Sequence, residues 1–108
     1  MNTLLVTGFE PFGGQSVNPS WECVKELAGN GRARIVTGRL PVIWGAGPAA
    51  LCALMEECRP DAVLCVGQAG GSAHIRIERV AVNLCECTAA DNAGRILCLV
   101  IVIEWCRE

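Results

Sequence analysis

Three short aliphatic runs alternate with two helical patterns over the first 67 residues, and this alternation constrains the fold more than any other feature. The runs are "TLLVTGF" at 3–9, "ARIVTGRLP" at 33–41 and "DAVLCVG" at 61–67. Each is rich in β-branched and aliphatic residues, as buried strands are. The third run is almost wholly apolar, so we expect it at the centre of a parallel sheet.

The two helices between these runs have recognisable boundaries. Asn18 can cap a helix that begins at Pro19 and ends before Gly29. The second helix is predicted over 45–59, with its apolar residues on one side.

A fourth strand is expected to run through Asn83. This order predicts an α/β fold, a partial three-layer α/β/α sandwich with a mostly parallel sheet and its site at the carboxyl ends of the strands.

Composition narrows the classes of protein that fit. The chain has 108 residues, of which 52% are hydrophobic and 19% charged, which describes one globular core and excludes a disordered chain. The net charge is -2, and the nine Lys and Arg residues are dispersed. We therefore expect no binding to nucleic acid or to a membrane surface. The N-terminus does not resemble a signal peptide, so a cytoplasmic location is predicted.

The eight cysteines lie mostly inside apolar segments, which favours buried free thiols over a disulfide scaffold. Cys85 and Cys87 form a C-x-C pair with no second pair elsewhere. His74 is the single histidine of the chain. Since a zinc site needs about four such ligands, we predict no metal site.

Two glycine-rich loops, at 8–14 and 67–71, follow predicted strands and so fall at the same edge of the sheet. The first loop lacks the lysine and hydroxyl of a phosphate-binding loop, and no nucleotide or other cofactor is expected. It offers Phe9 and Phe12 instead. These rings either enclose a small, flat, mostly apolar ligand or simply pack into the core.

Glu78 is a carboxylate within an apolar pattern. In an extended strand it would share one face with Val80, Val82 and Leu84. A carboxylate at the edge of a buried face needs a partner or a function. Two interpretations are open: an ion pair with Arg76, two residues earlier on the same face, or a role in a site.

Six sequence blocks occur in an order that resembles one family. They are "VTGFEPFGG", "NPSWE", "LPV", "RPDAVLCVGQAGG", "ERVAVN" and "DNAGR", and they cover residues 1–95. Together they resemble the family of pyroglutamyl peptidase I, also called pyrrolidone-carboxylate peptidase. One position departs from the family pattern, because Arg76 stands where Ser or Thr is usual.

The resemblance implies a thiol-type cysteine exopeptidase that removes N-terminal 5-oxoproline (pyroglutamate) from peptides, without a cofactor or metal. Its mechanism uses a cysteine nucleophile, a histidine base and a glutamate that orients the histidine. Glu78 matches this catalytic glutamate. By the same resemblance, Phe9 and Phe12 line the pocket for the lactam ring and Gln68 hydrogen-bonds its amide.

The family's nucleophile motif, similar to "GTYVCN", and its later histidine have no counterpart here. We expect residues 1–95 to be the N-terminal part of the family domain, and 96–108 to be an apolar tail unlike the family, so that the chain is truncated or frame-shifted. No cysteine is assigned the nucleophile role. His74 is either a replacement base or a solvated loop residue. The alternative function is a non-catalytic α/β fragment that binds 5-oxoproline weakly or self-associates through its tail, with a homo-oligomer as one outcome.

Overall fold

The computed structural model describes residues 2–29, 31–82, 84–97 and 100–101. The first three strands and the two helices appear in the predicted order, and two short strands that the sequence did not predict follow them. The elements are strand β1 (Thr3–Phe9), helix α1 (Pro19–Val24) with a 3-10 turn (Lys25–Leu27), strand β2 (Arg34–Leu40), helix α2 (Ala46–Cys58), strand β3 (Ala62–Cys65), and the short strands β4 (Leu84–Cys85) and β5 (Val100–Ile101).

The first three strands form one parallel sheet in the order β2-β1-β3. The β1–β2 register runs from Thr3 opposite Arg34 to Phe9 opposite Leu40. Because all three strands are parallel, their carboxyl ends lie at one edge of the sheet. Both glycine-rich loops leave from this edge, as the sequence predicted.

The expected central position of the third strand is wrong. The central strand is β1, where Leu5 and Val6 are buried at 0% and 1% exposure. All four residues of β3 are exposed, because among the described residues β1 is its single strand neighbour and no helix packs against it. An apolar run indicates that a strand is suited to burial, but it does not specify which strands lie beside it.

The two helices pack on opposite faces of the sheet. Backbone atoms of α1 at Ser20 and Trp21 lie against Gly8, whereas the Leu54 side chain of α2 lies against Gly38. Gly38 is paired with Thr7 across the β1–β2 ladder, and Thr7 and Gly8 are consecutive residues. Because consecutive strand residues face opposite sides, the helices form the outer layers of the predicted α/β/α arrangement.

The predicted fourth strand is also wrong over residues 75–82, which the structure describes. Residues 75–82 have no regular secondary structure, and Ile75, Ile77, Val80 and Val82 are 65–98% exposed. A strand requires hydrogen bonds from a neighbouring strand, and alternating sequence alone does not supply them. Asn83 lies outside the described residues. Regular structure resumes at β4, which pairs antiparallel with β5 of the tail.

The cysteines only partly follow the expectation of buried free thiols. Cys85 is buried, but Cys23 and Cys65 are exposed free thiols and Cys52 is disulfide-bonded. Cys65 is exposed because it lies on β3, which in the described part of the chain has one strand neighbour and no helix against it. Among the residues that the structure describes, no group of His, Cys, Asp and Glu is arranged to hold a metal ion. The helices in the same part of the chain are too short or too polar to cross a membrane.

Candidate functional site

A surface cleft of about 210 Å³ opens at the carboxyl ends of β1 and β3. It is smaller than the roughly 300–1,000 Å³ of pockets for drug-sized molecules, so it suits a small ligand. The lining residues come from four separate segments. They are Phe9, Phe12, Asn18, Val42, Gly67 and Gln68. The cleft thus brings together Phe9, Phe12 and Gln68, the three residues that the family resemblance implied as a lactam pocket.

The two phenylalanines are fixed by the loop that follows β1. The backbone N–H of Phe9 donates to the Ser20 hydroxyl at 2.9 Å, which ties the end of β1 to α1. Phe12 is 39% exposed, so its ring forms part of the cleft wall and is not fully packed in the core. Gly13 and Gly14 follow with φ values of +61° and +74°, in the left-handed region that favours glycine.

Asn18 is a site residue that the sequence analysis had assigned only as a helix cap. It does cap α1, because its Oδ1 accepts from the Ser20 backbone N–H at 3.0 Å and from the Ser20 hydroxyl at 2.8 Å. Its Nδ2 donates to the Glu10 carbonyl at 3.0 Å. The residue is 2% exposed and also lines the cleft. An amide nitrogen carries two hydrogens, so its second N–H is suited to a ligand carbonyl.

Val42 is the second lining residue that the sequence analysis missed. It follows β2 and lines the cleft together with the residues that follow β1 and β3. Its backbone N–H donates to the Glu10 carboxylate at 3.0 Å, and its carbonyl accepts from the Asn92 N–H at 2.8 Å. The "LPV" block ends at this residue and was the available sequence signal.

Glu78 is exposed, in the irregular segment 75–82, and it is not among the residues that line the cleft. The alternative of an ion pair with Arg76 is not observed, since no salt bridge joins the two side chains in the described part of the chain. The predicted strand face shared with Val80 and Val82 is absent as well, because all three residues are exposed.

His74 is an exposed loop residue. Its backbone N–H and carbonyl are both hydrogen-bonded to the Ser72 hydroxyl, at 3.3 and 3.0 Å. Within the described residues its imidazole makes no hydrogen bond. The exposed imidazole and the hydrogen-bonded turn favour a solvated loop residue over a general base.

Residues 2–101 match the model of one protein family, described as pyroglutamyl peptidase. The chain belongs to the pyroglutamyl peptidase family. All residues that line the cleft lie within the matched region. The match also confirms the resemblance that the six sequence blocks indicated.

Named relatives agree with this assignment. Pyrrolidone-carboxylate peptidase 1 of Ralstonia nicotianae is 53% identical over 97 residues, which cover 88% of this chain and 45% of that protein. The pyrrolidone-carboxylate peptidase of Bacillus cereus is 42% identical over 106 residues, covering 96% of this chain and 49% of the relative. The chain spans about half the length of the curated relatives that it matches.

Solved structures of the pyroglutamyl peptidase family have the same fold. Pyroglutamyl peptidase I from Bacillus amyloliquefaciens aligns with a TM-score of 0.88 at 44% identity, over 93% of this chain and 49% of that chain. Pyrrolidone carboxyl peptidase from Fervidobacterium islandicum aligns with a TM-score of 0.88 at 41% identity, over 94% and 50%. The α/β fold with a mostly parallel sheet is thereby confirmed.

Proposed function

We propose that this chain carries the lactam-binding half of a cysteine exopeptidase that removes N-terminal 5-oxoproline from peptides. The observation that carries the proposal is the cleft itself, in which Phe9, Phe12 and Gln68 meet in a member of the pyroglutamyl peptidase family. A lactam ring is neutral, so its recognition depends on apolar walls and on hydrogen bonds to its N–H and carbonyl. The phenylalanines supply the walls, and Gln68 and Asn18 supply amide groups.

Binding of small lactams tests this assignment. We expect 2-pyrrolidone to shift the NMR signals of the cleft residues, and N-methyl-2-pyrrolidone, which lacks the N–H, to bind more weakly. Phe12→Ala should abolish binding. Leu27→Ala is a matched control, because Leu27 is 38% exposed against 39% for Phe12 and does not line the cleft. Equal binding by both variants would contradict the proposal.

Glu78 is proposed as the catalytic carboxylate that orients a histidine. Its support is the family match together with its exposure and its lack of an ion pair with Arg76, which leave the carboxylate accessible to a partner group. The described residues place no imidazole against it. We therefore expect the chain alone not to hydrolyse a fluorogenic pyroglutamyl amide. Hydrolysis that Glu78→Gln abolishes would overturn this expectation.

A second candidate is a non-catalytic chain that self-associates. It is favoured by the exposed apolar residues of segment 75–82 and by the side of β3 that pairs with no other described strand. Exposed strand edges and apolar surface promote association between chains. Light scattering distinguishes the two candidates, since a monodisperse monomer would contradict self-association. A cytoplasmic location and peptide substrates with N-terminal pyroglutamate remain parts of the main proposal.

A further inference from the structure

The "DNAGR" block, residues 91–95, has no role in the proposed function, yet it lies beside the cleft. The Asn92 N–H donates to the Val42 carbonyl at 2.8 Å. The Asn92 side chain crosses to the opposite wall, where Nδ2 donates to the Pro11 carbonyl at 2.8 Å and to Glu10 Oε1 at 2.9 Å. One residue therefore contacts both the loop after β1 and the loop after β2.

Glu10 completes this connection. Its backbone N–H donates to the Leu40 carbonyl at 3.0 Å, which extends the β1–β2 pairing beyond Phe9. Its Oε1 accepts from the Val42 N–H at 3.0 Å as well as from Asn92. Its carbonyl accepts from Asn18 Nδ2 at 3.0 Å. Glu10 does not line the cleft, but it is bonded to two residues that do.

Asp91 holds the turn from which Asn92 projects. Its Oδ1 accepts from the backbone N–H groups of Ala93 and Arg95 at 2.9 and 2.8 Å, and its Oδ2 accepts from Trp44 N–H at 2.9 Å. The Arg95 guanidinium donates to the Trp44 carbonyl. The Asp91 side chain is only 4% exposed. The turn is thus anchored to the segment that carries Val42.

We propose that Glu10 and Asn92 are positioning residues that fix the Val42 wall of the cleft against the phenylalanine wall. Neither residue touches the ligand in this account, and each acts through a neighbour that does. We call Glu10 and Asn92, with their hydrogen bonds to Val42 and Pro11, the clamp. Its role in lactam binding rests on the proposed function, whereas its effect on the position of Val42 does not. The two parts can therefore be tested separately.

Two measurements on the full chain test the clamp. Hydrogen exchange of the Val42 amide, measured without ligand, reports how firmly the clamp holds Val42. The Kd for 5-oxoprolinamide reports the effect of the clamp on binding. Glu10→Ala should accelerate exchange at Val42 and weaken binding about tenfold, as expected for a lost hydrogen bond. Glu10→Gln keeps the Oε1 acceptor, so both readouts should stay near wild type. Asn92→Ala should behave like Glu10→Ala.

Two controls make the test specific. The Asp61 amide, bonded to the Thr3 carbonyl at 2.8 Å at the far end of the sheet, should exchange as in wild type. Glu57→Ala removes an exposed carboxylate on α2 and should change neither readout. Unchanged Val42 exchange in both alanine variants would overturn the clamp. Faster exchange with unchanged affinity would overturn its role in binding. If the wild type binds no lactam, the proposed function fails, and the Val42 exchange alone decides the clamp.

Discussion

Replacing Gly8 by alanine should push helix α1 slightly away from the sheet and destabilise the fold. A Cβ at this position would lie 2.8 Å from three backbone atoms, namely the carbonyl carbon of Ser20 and the N and Cα of Trp21. To reach an ordinary contact of 3.4 Å the helix must move by 0.6 Å, because backbone atoms cannot rotate away. That movement also stretches the 2.9 Å bond from Phe9 N–H to the Ser20 hydroxyl.

The expected change in the free energy of unfolding follows from two opposed effects. Overpacking costs about 1–3 kcal/mol, and a Gly-to-Ala change at a compatible backbone position returns about 0.4–1 kcal/mol through the unfolded chain. Since the obstacle here is backbone, we expect Gly8→Ala to lower the free energy of unfolding by roughly 2 kcal/mol. Gly38→Ala is the matched control on the neighbouring strand, because its Cβ would meet the rotatable Cδ1 of Leu54. We expect it to change stability by less than about 1 kcal/mol.

Urea unfolding followed by far-UV circular dichroism measures both variants, with equal m-values as the check on a common unfolding reaction. Lactam affinity should fall in Gly8→Ala and not in Gly38→Ala, because α1 carries Asn18 to the cleft. Equal stability of the two variants would refute the argument that the close approach of α1 requires glycine at position 8.

Three further predictions concern single residues. Asn18→Ala should lower the free energy of unfolding by about 2 kcal/mol, since it removes the cap of α1 and a buried donor; a urea-derived loss below about 0.5 kcal/mol would argue against this. Desolvation raises the pKa of Asp91, but N–H donors from Arg95, Trp44 and Ala93 and the Arg95 charge outweigh it and leave the pKa below 3.8. The Asp91 turn should therefore be stable above pH 3.8 and weaken as pH falls through that lower pKa; a carboxyl ¹³C NMR midpoint at or above 3.8 would contradict this. Arg59 ends α2 at φ +46°, so Arg59→Gly should raise the urea midpoint, equivalent to about 0.5–1 kcal/mol, and a lower midpoint would contradict it.

The elements that the sequence predicted correctly depend on local signals. Asn18 followed by Pro19 marks the start of α1, and the run "TLLVTGF" coincides with β1. The shared edge of the two glycine-rich loops followed from the rule that parallel strands present their carboxyl ends together, whereas the pocket roles of Phe9, Phe12 and Gln68 were implied by the family resemblance. Residue type and nearby spacing were sufficient for the elements and for the position of the loops.

The rest depends on contacts that are distant in sequence. Glu10 bonds to Val42 and Asn92, which lie 32 and 82 residues away, and no local pattern predicts such partners. The edge position of β3 depends on which strands pair beside it. For segment 75–82, alternation predicted a strand, but no neighbouring strand pairs with it in the described structure. For Asn18 the sequence predicts only a cap, because capping fully explains an asparagine directly before Pro19.

The kcat/KM of a chimera tests whether this chain carries the binding half and the catalytic glutamate of an active peptidase. Residues 1–95 of this chain would replace the matching segment of the Ralstonia nicotianae relative, and hydrolysis of a fluorogenic pyroglutamyl amide would be measured. We predict that the chimera is active, and that Glu78→Gln lowers kcat at least about 100-fold while lactam binding is retained. A chimera that is folded by circular dichroism but inactive, or one in which Glu78→Gln keeps full activity, would contradict the account.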